Sequence, residues 1–125
     1  MAIDDSTRLI LFKIILQQST AEGIAERRRF VRRTLERIRE GSATTEEIAL
    51  IRSALHQVSK RVSNVEERRR LAALAMYYLS AEPPAAQNIA VELGIVKRTV
   101  FRDITLAINM LTVAIYGVDG VEFQQ

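Results

Sequence analysis

The run "LGIVKRTVFRDI", residues Leu93–Ile104, gathers Lys97, Arg98, Thr99, Phe101 and Arg102 within six positions. These side chains suit a polyanion. An arginine offers a planar donor fork that pairs bidentately with phosphate or with the O6/N7 edge of guanine. Threonine can hold a phosphate or meet a thymine methyl, and lysine supplies a point charge. Phe101 on a solvated helix would be costly without a use, so it should pack on a neighbouring helix or touch thymine methyls. Other chemistries lack their parts. The chain has no cysteine and one histidine, His56, so neither a metal site nor a histidine-based triad can be assembled. It has no glycine-rich phosphate loop. Its carboxylates sit in helix-start boxes and ion pairs rather than as an acid/base couple. The expectation is a binding protein, not an enzyme, with no cofactor and no metal.

Such residues read DNA only if something aims them. Ala90, Gly94 and Val100 stand in the spacing A-x3-G-x5-V, the spacing of a helix-turn-helix. Ala90 must be small where two helices cross closely, and Gly94 supplies a left-handed turn. Val100, with Ile89, Leu93 and Ile95, should fasten both helices to the rest of the domain. A short helix is predicted over about Ala85 to Leu93 and a longer one from near Lys97, with Val100, Ile104, Ile108, Leu111 and Ile115 as its buried stripe. The competing reading is a corner of a helical bundle whose basic face is merely solvated.

The remainder of the chain also reads as helix. Apolar residues make up 48% of 125, enough for one ordinary core, with only 2 prolines and 5 glycines. Three Ser/Thr-x-x-Glu boxes mark helix starts: Ser19 with Glu22, Thr44 with Glu47, and Ser63 with Glu66. Helices are predicted from about Asp5 to Gln18 (Leu9, Phe12, Leu16 inward), Thr20 to Glu40 (Ile24, Val31, Leu35, Ile38 inward, ended by Gly41) and Thr45 to Val62. A fourth follows the Ser63 box to near Ser80. In the third, Ile48, Ile51, Leu55, Val58 and Val62 form a short seam that could serve a dimer. Pro83 and Pro84 break the pattern. The fold class is therefore all-α: a helical bundle with a C-terminal helix-turn-helix. Residues 1–80 form a helical part for oligomerisation or protein contact, and residues 81–125 form the DNA-binding part.

The net charge is only +3, but arginine outnumbers lysine 15 to 3 and is clustered. "AERRRFVRRTLERIRE" holds seven arginines between Arg27 and Arg39. Arg29, Arg32 and Arg33 fall near one face, opposite Val31, Leu35 and Ile38. They are candidate phosphate contacts, or else a solvated face paired with Glu22, Glu26, Glu36 and Glu40. Arg69 and Arg70 in "EERRR" are candidates of the same kind, close before the motif. Met76, Tyr77 and Tyr78 are expected to pack against the motif, and His56 to be a surface or packing residue. No apolar run reaches the ~18 residues of a membrane span. The start "MAIDDSTR" lacks a basic signal region, which gives the expectation of a cytoplasmic protein.

The segment Leu93–Ile104 resembles the reading helices of bacterial regulators of the DeoR and related winged types, which carry R-T-[VI]-x-R-D-[LI]. That resemblance implies that Arg98, Thr99 and Arg102 face DNA and that Asp103 orients a neighbouring arginine or caps. The chain departs from the pattern at Val96, where a Ser or Thr cap is usual. The only hint of a wing is "YGVDGVEF", with its Asp119-Gly120 turn. In layout, a helix, a break, the motif and a long last helix, the chain is similar to phage late-transcription regulators of the ArpU and RinA type. The function expected is a sequence-specific transcription regulator of bacterial or phage origin. Its partners would be double-stranded DNA, a second copy of the chain over two half-sites, and RNA polymerase. Two alternatives stand beside it: a small terminase-like packaging subunit, and a helical adaptor that binds no DNA.

Overall fold

The computed structural model of the chain describes residues 21–116. Among them there are α-helices and no strand: α1 Ala21–Glu40, α2 Thr45–Arg61, α3 Val65–Leu74, α4 Ala86–Leu93 and α5 Lys97–Tyr116. A π-helical turn, Ala75–Leu79, extends α3. The expected helix over Asp5–Gln18, the Ser19–Glu22 box and the Asp119-Gly120 turn lie outside the described residues.

Helix ends follow local chemistry. Gly41 ends α1 at φ 82° and Gly94 ends α4 at φ 69°. At both, two bonds close the end. Ser42 and Gly41 amides donate to Arg37 and Ile38 carbonyls (2.9 and 3.1 Å), and Ile95 and Gly94 amides donate to Ala90 and Val91 carbonyls (2.9 and 3.3 Å). This is the left-handed glycine stop, which consumes carbonyls the helix leaves orphaned. The α2 start is the predicted reciprocal box: the Glu47 amide donates to Thr44 Oγ1, and the Thr44 amide donates to Glu47 Oε1, both at 3.0 Å. The α3 start differs from the prediction. Asn64, not Ser63, is the cap, and its Oδ1 accepts from the Glu67 amide at 2.7 Å. Two cap-competent residues are adjacent here, and asparagine is at least serine's equal at this position.

Helix α5 is the axle. Every other α-helix packs on it. Its stripe Val100, Ile104, Ile108, Leu111 and Ile115 is buried throughout, together with Ala107 and Tyr116. Val31 and Leu35 from α1, Ile51 and Val58 from α2, Leu71 and Leu74 from α3, and Ile89 and Ala90 from α4 complete one cluster. The prolines thus separate two helices within a shared core. Two features of the expected stripes change. Ile24 is 46% exposed rather than buried. Ile51 and Val58 enter the chain's own core, so the α2 seam is not a free dimer face. Helix α5 is long and apolar enough by composition to cross a membrane (mean hydropathy 1.3), but half of that stretch is buried inside this core.

Candidate nucleic-acid interface

Val96 precedes α5, and its carbonyl accepts from the Thr99 and Val100 amides at 2.9 and 3.2 Å. A valine side chain offers the first-turn amides no acceptor, so the capping role that a Ser or Thr fills is missing. Gly94 has open space where a Cβ would stand, so its glycine is required by the positive φ alone. Ala90 and Val100 are buried where α4 and α5 meet.

Lys97, Arg98, Phe101 and Arg102 are exposed, and Thr99 is half-buried. Among the described residues, no hydrogen bond or ion pair within the chain engages Lys97, Arg98 or Arg102. Phe101 is 44% exposed, with its other side against Tyr77. Their rings meet edge-to-face at 6.1 Å, and Tyr77 meets Tyr78 the same way at 4.9 Å. Both tyrosines lie in the π turn. Arg39 closes the row from α1: its guanidinium lies 3.8 Å from the Tyr77 ring centre, and its Nη1 donates to the Tyr77 carbonyl at 2.6 Å. Tyr78 is buried as expected; burial raises its hydroxyl pKa, against the opposing pull of nearby Arg32.

The back of the same helix carries a charge. Asp103 is 1% exposed. Arg69 grips it bidentately, Nε to Oδ2 at 2.7 Å and Nη2 to Oδ1 at 3.1 Å. Arg70 Nε adds an ion pair at 3.9 Å without a hydrogen bond. The hydrogen bonds from Arg69 to Asp103 raise the arginine's pKa further. A buried carboxylate is tolerable only with such partners. The clamp joins α3 to the segment between Arg102 and Ile104, and so fixes which face of α5 points outward. Arg69 and Arg70, expected near phosphate, are placed on Asp103.

The α1 arginines divide. Arg29 pairs with Glu26, and Arg37 pairs with Glu47 across to α2. Burial pushes the Glu47 carboxyl up, but the hydrogen bonds from Arg37 and Thr44 outweigh it and hold the pKa below its usual value. Arg27 stacks over Tyr116 at 5.7 Å; burial lifts that tyrosine well above its ordinary range. Arg32 Nη2 reaches Thr105 Oγ1 on α5 at 3.5 Å. Arg28 and Arg33 are exposed.

Sequence reasoning missed the Arg39–Tyr77–Phe101 row and the identity of Asp103's partners. The aromatic pair before the prolines was the only local signal for the first. The run "ERRR" was the signal for the second. His56 is exposed, as a surface residue should be. No group of three or more metal-binding side chains occurs among the described residues. No protein-family model, curated protein or solved structure matches this chain.

Proposed function

We propose that this chain binds double-stranded DNA as a helix-turn-helix formed by α4, the Gly94 turn and α5, and acts as a sequence-specific transcription regulator of the bacterial or phage kind. Helix α5 enters the major groove by its first turns. Arg98 and Arg102 contact bases, Lys97 and Thr99 hold phosphates, and Phe101 meets thymine methyls with its free edge. One observation carries the reading. Arg98 and Arg102 stand uncommitted on the outward stripe of a helix whose opposite face is locked into the core by Val100, Ile104 and the Asp103 clamp, and Lys97 stands equally uncommitted at that helix's first residue. Cations left without partners beside a rigid support are what a preorganised polyanion site requires. A single such unit touches few base pairs, so two copies over two half-sites are expected.

The test is fluorescence anisotropy with a labelled random-sequence duplex over a salt series. Wild-type affinity should fall steadily with salt, and Arg98→Ala/Arg102→Ala should bind more weakly. On an operator selected from a random pool, each lost base contact should cost about 1–3 kcal/mol. A wild type with no affinity at low salt would overturn the reading and leave a helical protein-binding adaptor.

A further inference from the structure

A second charged feature lies beside the proposed reading helix. Between α1 and α5 runs a cleft of about 460 Å³, lined by Arg28, Arg29 and Arg32 on one wall and Thr105 and Asn109 on the other. Ile108 forms part of its floor. The three arginines repeat at i, i+1 and i+4, which puts them along one side of α1. Arg29 is shared with Glu26, Arg32 touches Thr105 at 3.5 Å, and Arg28 has no partner among the described residues. Arg33 is exposed but does not line the cleft.

The cleft is in line with the reading face. Arg98, Arg102, Thr105 and Asn109 follow one another at i, i+4, i+7 and i+11, so they share one stripe of α5. At about 1.5 Å per residue, Arg98 and Asn109 are separated by roughly 16 Å along the helix. The major groove is only about 12 Å wide. A helix whose first turns reach base edges therefore carries Thr105 and Asn109 out to the groove's rim, where a sugar–phosphate strand passes.

We infer that this cleft is a phosphodiester-binding site, in which Arg28 and Arg32 from α1, with Thr105 and Asn109 from α5, hold one DNA backbone strand at the edge of the groove. Guanidinium forks, a hydroxyl and a side-chain amide are all donors to phosphate oxygens. The site deepens the DNA-binding reading and rests on it. It supplies affinity and register, not sequence choice.

The test uses the full chain and a labelled 20-base-pair duplex of random sequence. Wild type is compared with Arg28→Gln/Arg32→Gln, with Thr105→Glu, and with Arg98→Ala/Arg102→Ala. Losing two phosphate contacts should flatten the slope of log affinity against log salt by about 1.8. By the same relation, between 50 and 200 mM salt the wild type should lose about tenfold more affinity than the cleft variant. The loss should be alike on every sequence. Thr105→Glu places a like charge against the strand while giving Arg32 a new partner, so it tests the cleft without unsettling the fold. It too should weaken binding. Cleft variants that keep the wild-type slope, while Arg98→Ala/Arg102→Ala weakens binding, would overturn this inference and leave the reading helix standing. Absence of wild-type binding at every salt would overturn both. Millimolar inorganic phosphate supplies the last arm. If it shifts the melting temperature of wild type and not of the cleft variants, while duplex binding is the same in all, the ligand is a small phosphate and the backbone assignment fails.

Discussion

On α1, Arg29 pairs with Glu26, Arg37 with Glu47, and Arg39 with the carbonyl and ring of Tyr77. On α5, Lys97, Arg98 and Arg102 find nothing within the described chain. The first helix carries seven arginines in a row of thirteen residues, yet most of its charge is spent on the fold. The second carries three cations and spends none. Counting charges alone would rank the two regions in the wrong order for the share of cations left without a partner among the described residues. What separates them is whether a carboxylate, a carbonyl or an aromatic face from a distant helix arrives within reach. The same rule divides α5 itself, where Asp103 is fully engaged by α3 and its neighbour Arg102 is not.

The contrast can be broken by removing engaged groups and leaving free ones. Asp103→Ala should have the largest effect, because it strands Arg69 and Arg70 beside an apolar core. A loss of about 2–4 kcal/mol is expected from urea unfolding with unchanged slope. Asp103→Asn, which keeps an acceptor, should lose less. An unchanged midpoint in the alanine variant would show that the clamp contributes nothing. Glu47→Gln comes next, at about 1 kcal/mol near neutral pH, since it weakens both the cap and the link to Arg37. Its pH dependence has a definite sign. The folded-state pKa of Glu47 lies below its usual 4.5, so its contribution is complete above that range and is lost as pH falls through the folded value. Wild type should therefore lose more stability than Glu47→Gln on acidification below about pH 5. Parallel pH profiles would remove Glu47 from the comparison. The smallest effects should come from the free groups and from the exposed pair. Arg98→Ala/Arg102→Ala and, separately, Glu26→Ala should each change stability by no more than about 0.5 kcal/mol. A larger loss in the first would mean those arginines serve the fold after all.

Much of the fold was legible because its signals are local. The α5 stripe from Val100 to Ile115 is buried at every predicted position, since one helix face against a common core obeys one period. The Thr44–Glu47 box and the glycine stops at Gly41 and Gly94 were equally legible, each being chemistry within a few residues. What failed depends on distant partners. Periodicity put Ile24 in line with Val31 and Leu35, but it is 46% exposed, since a period along one helix does not carry what lies beside each of its turns. Arg69 and Asp103 lie 34 positions apart, and Arg39 and Tyr77 lie 38 apart, so no window along the chain links them. The π turn was read as plain helix because "AMYYL" has ordinary helical composition. For the candidate site, the residue types were visible in the sequence. Which cations stay free was not, because that depends on which helices lie beside them.

Helix α5 has consequences for how its surface can diversify. Nine of its positions are buried, and Lys97, Arg98, Phe101, Arg102 and Thr105 project outward from the same twenty-residue rod. The two sets interleave but do not overlap, so a library randomised at Lys97, Arg98 and Arg102, which make no hydrogen bond or ion pair among the described residues, would leave the interior untouched. Such a scaffold can change what it touches without relearning how to fold. Lineages descended from it could differ at these three residues while sharing nearly everything behind them.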